Sequence, residues 1–185
     1  MEFEIHITVK NNGIDKFIQD CKELGLKPVL IEAGCSNQLM TSSKHSNKNF
    51  FEVLVPLCDL LIERNYSLLR LKVEKKPEST KDENFSYYES HIRLKLPKDF
   101  NYDELKKECL IQNFHLSKNL FKKDEDFNYQ MITYRMNKGC LTKFNLVINK
   151  MTKRLNDMGI NYDKIEIEEC IYDTNENLDK EWITN

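Results

Sequence analysis

Between residues 2 and 10 the side chains alternate. Phe3, Ile5, Ile7 and Val9 fall on one side, and Glu2, Glu4, His6, Thr8 and Lys10 on the other. A period of two predicts a half-buried strand. The period then lengthens: Ile14, Phe17, Ile18, Cys21 and Leu24 recur at helical spacing, and Gly25 stands where such a helix would stop. LKPVLIE (26–32) predicts a second strand, and the polar stretch GCSNQLMTSS (34–43) a turn with room for a short third. The apolar run from Phe50 to Ile62 predicts a helix that Pro56 starts late or kinks, and SLLRLKVE (67–74) a closing strand.

The same order then returns. SYYESHIRLKL (86–96) reads as a strand, YDELKKECL (102–110) as a helix, and FHLSKNL (114–120) and NYQMITYRM (128–136) as two further strands. Leu141, Phe144, Ile148, Met151, Leu155 and Met158 mark a long amphipathic helix, and YDKIEIEECIY (162–172) a last strand. Residues match as well as elements: EIHITVK (4–10) with ESHIRLK (89–95), Cys21 with Cys109, Gln38 and Thr41 with Gln130 and Thr133, and Val73 and Glu74 with Ile167 and Glu168. The separation only grows along the chain, and only across loops, as divergence after duplication would leave it.

The expected fold is therefore α+β, an internal duplication of a βαββαβ, ferredoxin-like unit. It predicts two pseudo-symmetric lobes, each with an antiparallel sheet and helices on one face. The first lobe is expected at 1–76, a charged linker at 77–84, the second lobe at 85–175, and a tail at 176–185 that Trp182 pins to the body.

Composition narrows the function classes. No run reaches the roughly 18 apolar residues of a membrane span, and the N-terminus lacks the basic start and apolar core of a signal peptide, so a cytoplasmic protein is expected. Six cysteines without a CxxC pair predict buried free thiols. A net charge of −2 excludes a global attraction to duplex DNA or anionic membrane, so any site for a polyanion is local. No cofactor is called for, and open sheet edges would allow a homodimer.

With the apolar faces turned to the helices, the opposite faces carry Glu4, His6, Thr8, Lys10, Arg70, Lys72 and Glu74 in one half. In the other they carry Glu89, His91, Arg93, Lys95, Thr133, Arg135, Lys164, Glu166 and Glu168. A solvated sheet face with cross-strand ion pairs accounts for many of these. The two histidines at equivalent central positions ask for more: lobes facing each other would put both rings into one groove.

His-x-Thr in HITV (6–9), with one histidine motif per half, resembles the HxT/S motif of the 2H phosphoesterases, the LigT-like enzymes. That resemblance implies a metal-independent phosphodiesterase acting on a cyclic phosphodiester, a nucleotide or an RNA end. His6 and His91 would be acid and base, and Thr8 and Arg93 would hold the phosphate, with Arg93 standing where the family has a hydroxyl. Imidazole titrates near neutrality, as such a role demands. Lys10, Arg70, Lys72, Lys95, Thr133 and Arg135 would complete the anion site, with His115 and Ser117 of HLSKN as a second His-x-Ser candidate. Two other readings stand beside it. One resembles the vicinal-oxygen-chelate enzymes, with a divalent metal on His6, Glu74, His91 and Glu168. The other is a noncatalytic anion- or nucleotide-binding protein.

Overall fold

The computed structural model describes residues 1–33, 36–78, 87–122, 124–137 and 139–179. The elements run β1 (Glu2–Val9), α1 (Ile14–Glu23), β2 (Lys27–Ala33), β3 (Ser36–Ser46), α2 (Phe51–Glu63) and β4 (Leu68–Lys75). They continue as β5 (Tyr87–Pro97), α3 (Asp103–Ile111), β6 (His115–Asn119), β7 (Phe127–Met136), α4 (Leu141–Asp157) and β8 (Tyr162–Asp173). A short 3₁₀ turn, Glu176–Asp179, follows. The part of the expected linker beyond residue 78 and Trp182 of the expected tail lie outside the described residues.

The strands do not form two open sheets. They close into one antiparallel barrel in the order β1-β3-β2-β6-β7-β5-β8-β4. This corrects the expected ferredoxin-like lobes with a groove between them. The physical reason lies at the edges. An unpaired edge strand exposes a row of backbone donors and acceptors, and pairing the edges of the two halves with each other removes all four at once. β4 joins β8 through Lys72↔Asp173 to Lys75↔Glu169, with a register shift between Val73 and Glu74. β2 joins β6 at Ile31↔Asn119 and Glu32↔Lys118, with Leu120 N donating to Leu30 O at 2.9 Å next to them. Alternation along a strand tells which face is buried and nothing about which neighbour lies beyond an edge.

The apolar faces point outward, under the helices. Phe3, Ile5, Ile7 and Val9 pack with Phe17, Cys21, Leu54 and Leu61, while Ile92, Leu94 and Leu96 pack with Leu105, Phe144, Ile148, Met151 and Leu155. Burial of this kind is worth about 1.5–3 kcal/mol per large side chain, and it fixes the barrel wall by holding each strand's register. All four helices stop in the same way. Gly25, Asn65, Asn113 and Gly159 take positive φ, and the next amide donates to a carbonyl five residues back, as in Leu26 N to Cys21 O at 2.8 Å and Ile160 N to Leu155 O at 2.9 Å. α2 runs through Pro56 rather than starting after it.

The third strand is the largest local difference from the pattern. β3 is a full strand of 11 residues where a turn with a short third strand was expected, and it pairs with β1 from Glu2↔Ser46 to Val9↔Leu39. Strand pairing also shifts the match between halves by one residue. His6 lies opposite Ser42, and His91 opposite Thr133. Ser42, not Thr41, is thus the counterpart of Thr133, and a one-residue slip exchanges the two faces of a strand.

Candidate functional site: a charged barrel interior

Because the outward faces are apolar, the alternate residues of all eight strands point inward, around a cavity of about 250 Å³. β1, β4, β5 and β8 supply a charged wall of Glu4, His6, Arg70, Lys72, Glu74, Glu89, His91, Lys164, Glu166 and Glu168. β2, β3, β6 and β7 supply a mixed wall, with Val29, Ile31, Met40 and Met131 among Gln38, Ser42, Ser117 and Thr133. Arg135 and the tail residue Asp179 close the lining at one end of the charge network.

Most of these charges are paired in a continuous alternating chain. His6 Nε2 lies 3.3 Å from Glu74 Oε2, and Glu74 Oε1 lies 2.6 Å from Lys72 Nζ. The Lys72 ammonium also contacts Glu89, whose Oε2 is 3.4 Å from His91 Nε2. From Glu89 the chain continues through Arg135, which donates from Nε and Nη2 to Oε1 at 3.0 and 2.9 Å. Arg135 Nη2 and Arg70 Nη1 then donate to the same oxygen, Asp179 Oδ2, each at 2.6 Å. Arg70 grips Asp173 with its remaining fork, at 2.9 and 2.6 Å. Tyr87 lies beneath, its hydroxyl donating to Asp173 Oδ2 at 2.7 Å and its ring 4.0 Å from the Arg135 guanidinium. Charges taken this far from water persist only when paired.

The pairing sets the protonation states. Burial disfavours the His91 imidazolium, but its hydrogen bond to Glu89 and the charges of Glu89 and Glu168 outweigh that and raise the pKa to about 9. His6 is raised in the same way, burial being outweighed by Glu74 and Glu4. Glu74 goes down to about 2 against its own burial, drawn by Lys72 and His6. Glu168 goes the other way, up to about 7, through burial and the charge of Glu74. His91 is therefore charged at neutral pH, and His6 is biased toward its charged form.

A group whose pKa is raised on folding contributes stability that is complete below its unfolded value and disappears as pH rises through its folded value. For His91 that window runs from about 6.5 to about 9. The urea midpoint of the wild type should fall across it, and His91→Gln should flatten the fall. An equally steep fall in the variant would show that His91 is not the titrating group.

The barrel gathers most of the expected site residues and leaves out three. His6, Thr8, Arg70, Lys72, Glu74, His91, His115, Ser117, Thr133, Arg135 and Glu168 all line the cavity. Lys10 is exposed beyond the end of β1. Arg93 lies outside the cavity and forks onto Asp163 at 2.6 and 2.8 Å, and Lys95 sits 3.9 Å over the Phe127 ring. Both share the inward face of β5 but lie too far along it. This removes the 2H-like, phosphoesterase-like expectation, which required a groove between lobes with Arg93 on the phosphate.

The four residues of the expected metal set, His6, Glu74, His91 and Glu168, all lie in the cavity lining. Glu74, Glu89 and His91 bring ligand atoms within 4.8 Å of one another, but the Lys72 ammonium already sits between the two carboxylates and neutralises them. Among the lining residues that pattern reading left out are Val29, Ile31 and Met131, then Gln38, Met40, Ser42 and Lys44 of β3, and Asp179, which lies in the expected tail.

No family model matches the chain, and no curated protein matches it. Among solved structures, a candidate glycine cleavage system transcriptional repressor aligns at TM-score 0.33 and 11% identity, covering 90% of this chain and 98% of that one. The acetolactate synthase small subunit from Thermotoga maritima aligns at 0.32 and 16%, covering 94% and 96%. An unknown protein from Galdieria sulphuraria aligns at 0.28 and 12%, covering 91% and 97%. Scores this low carry no argument about fold or ligand. No helix among the described residues is long and apolar enough to cross a membrane.

Proposed function

We propose that the barrel interior binds a small phosphate-bearing molecule, its phosphate held by Arg70 and Arg135 and its organic part lying against Val29, Ile31, Met40 and Met131. The observation that supports this most is the convergence of two buried guanidiniums on one carboxylate oxygen, at 2.6 Å from each. Planar guanidiniums suit multidentate recognition of anionic oxygens, and enclosed charge-assisted hydrogen bonds are the strong ones. Lys72, His6 and His91 add positive charge along the same wall.

Size and polarity narrow the class. Ligand pockets usually span about 300–1,000 Å³, so a cavity of about 250 Å³ fits a monoester with a single ring or short chain better than an oligonucleotide. The apolar residues Val29, Ile31, Met40 and Met131 in the same lining favour an organic ester over free phosphate. The reading is one of binding.

Calorimetric titration with phenyl phosphate tests it. The expected result is saturable binding that weakens with salt and is tighter than for inorganic phosphate, with none for phenol. Equal, weak heats for all three would remove the proposal.

A further inference from the structure

Resting on that reading, we infer that the Asp179 carboxylate is an internal occupant of the phosphate subsite, and that the segment 174–179 must leave for the ligand to enter. Each arginine has a fixed partner on a barrel strand, Asp173 on β8 for Arg70 and Glu89 on β5 for Arg135. Arg70 Nη1, which Asp173 does not use, and Arg135 Nη2, which it shares between Glu89 and this direction, turn inward and both meet Asp179 Oδ2. Asp179 comes from no strand. It ends a single 3₁₀ turn after the barrel has closed, yet it is 3% exposed. A carboxylate oxygen between two guanidiniums is the arrangement a phosphate oxygen would take.

The attachments of the segment differ in kind from those of the wall. Thr174 pairs with Leu71 through backbone and hydroxyl, and Asn175 Nδ2 donates to Leu69 O at 3.2 Å. Gln38 Nε2 donates weakly to Leu178 O at 3.3 Å and lies 3.5 Å from Asp179 Oδ1. Apart from the two arginines, these are a few polar contacts to the start of β4 and to Gln38 of β3, and among the described residues neither apolar core cluster includes a member of the segment. Local opening costs least where such contacts are few. An intramolecular carboxylate also competes at a high effective concentration, so it masks the subsite without needing a tight bond.

The occupant predicts a gain on its removal. Asp179→Asn keeps the shape and drops the charge, and should bind phenyl phosphate about tenfold more tightly or better. Asn175→Ala loosens the segment without touching a charge, and should tighten binding by a smaller factor. Adding phenyl phosphate to the wild type should speed hydrogen exchange in a peptide spanning 174–179. A purely structural pin gives the reverse: Asp179→Asn lowers the melting temperature, binds no better than wild type, and ligand slows exchange in that peptide. If both wild type and Asp179→Asn bind phenyl phosphate equally, the occupant is refuted while the phosphate site stands. If neither variant nor wild type binds, the phosphate site itself is refuted, and the occupant with it.

Discussion

Glu89→Ala is expected to destabilise the protein by about 3–5 kcal/mol, the usual cost of removing one partner from a buried ion pair. Glu89 is 3% exposed and touches Lys72, Arg135 and His91 at once. Without it Lys72 keeps only Glu74, Arg135 keeps Asp179 and His91 keeps Glu168 at 3.6 Å, and the carboxylate that joins these three positive groups is gone. In a chain of this size each kcal/mol moves the melting temperature by roughly 2–4 °C, so a fall of about 10 °C is expected. Glu166→Gln is the control. Glu166 pairs with the half-exposed Lys164 at 2.5 Å, and exposed pairs are worth about 1 kcal/mol or less. Equal melting temperatures for the two variants would mean that the central chain of charges is solvated, contrary to a closed barrel.

Arg135→Gln is expected to cost the largest loss of ligand affinity. Truncating one partner of a buried, hydrogen-bonded charge pair typically removes about 2–5 kcal/mol of binding, which is at least about thirtyfold in phenyl phosphate affinity. Arg135→Lys keeps the charge but loses the fork, and should fall between variant and wild type. Arg93→Gln should leave binding unchanged, because Arg93 is spent on Asp163 outside the cavity. A loss with Arg93→Gln comparable to that with Arg135→Gln would place the phosphate at the far rim and overturn the assignment.

Much of the interior was legible along the chain, because alternation reports which face of a strand is apolar. Glu4, His6 and Thr8, Arg70, Lys72 and Glu74, and Glu89 and His91 were all readable as polar partners of buried neighbours. Alternation does not report height along a strand. Arg93 and Lys95 share parity with His91 yet fall beyond the cavity, where Asp163 and Phe127 receive them. Nor does it report closure, since the β4–β8 and β2–β6 seams join residues far apart in the chain. β3 was legible only as a turn with room for a short strand, because its outer face, Leu39, Thr41, Ser43 and His45, is scarcely more apolar than its inner face, Gln38, Met40, Ser42 and Lys44. In a barrel with a polar interior, the hydrophobic contrast that marks a strand fades. Asp179 carried no signal at all: a lone acid in a polar tail gains meaning only from the two arginines it meets.

The account stands on one claim, that Arg70 and Arg135 hold an anionic group of the ligand inside the barrel. A crystal of Asp179→Asn soaked in tungstate, a tetrahedral anion with a strong anomalous signal, tests it most directly. The account predicts a peak inside the barrel with oxygens about 3 Å from both guanidiniums. Tungstate found only on surface lysines, with the two arginines still closed on other groups, would contradict it.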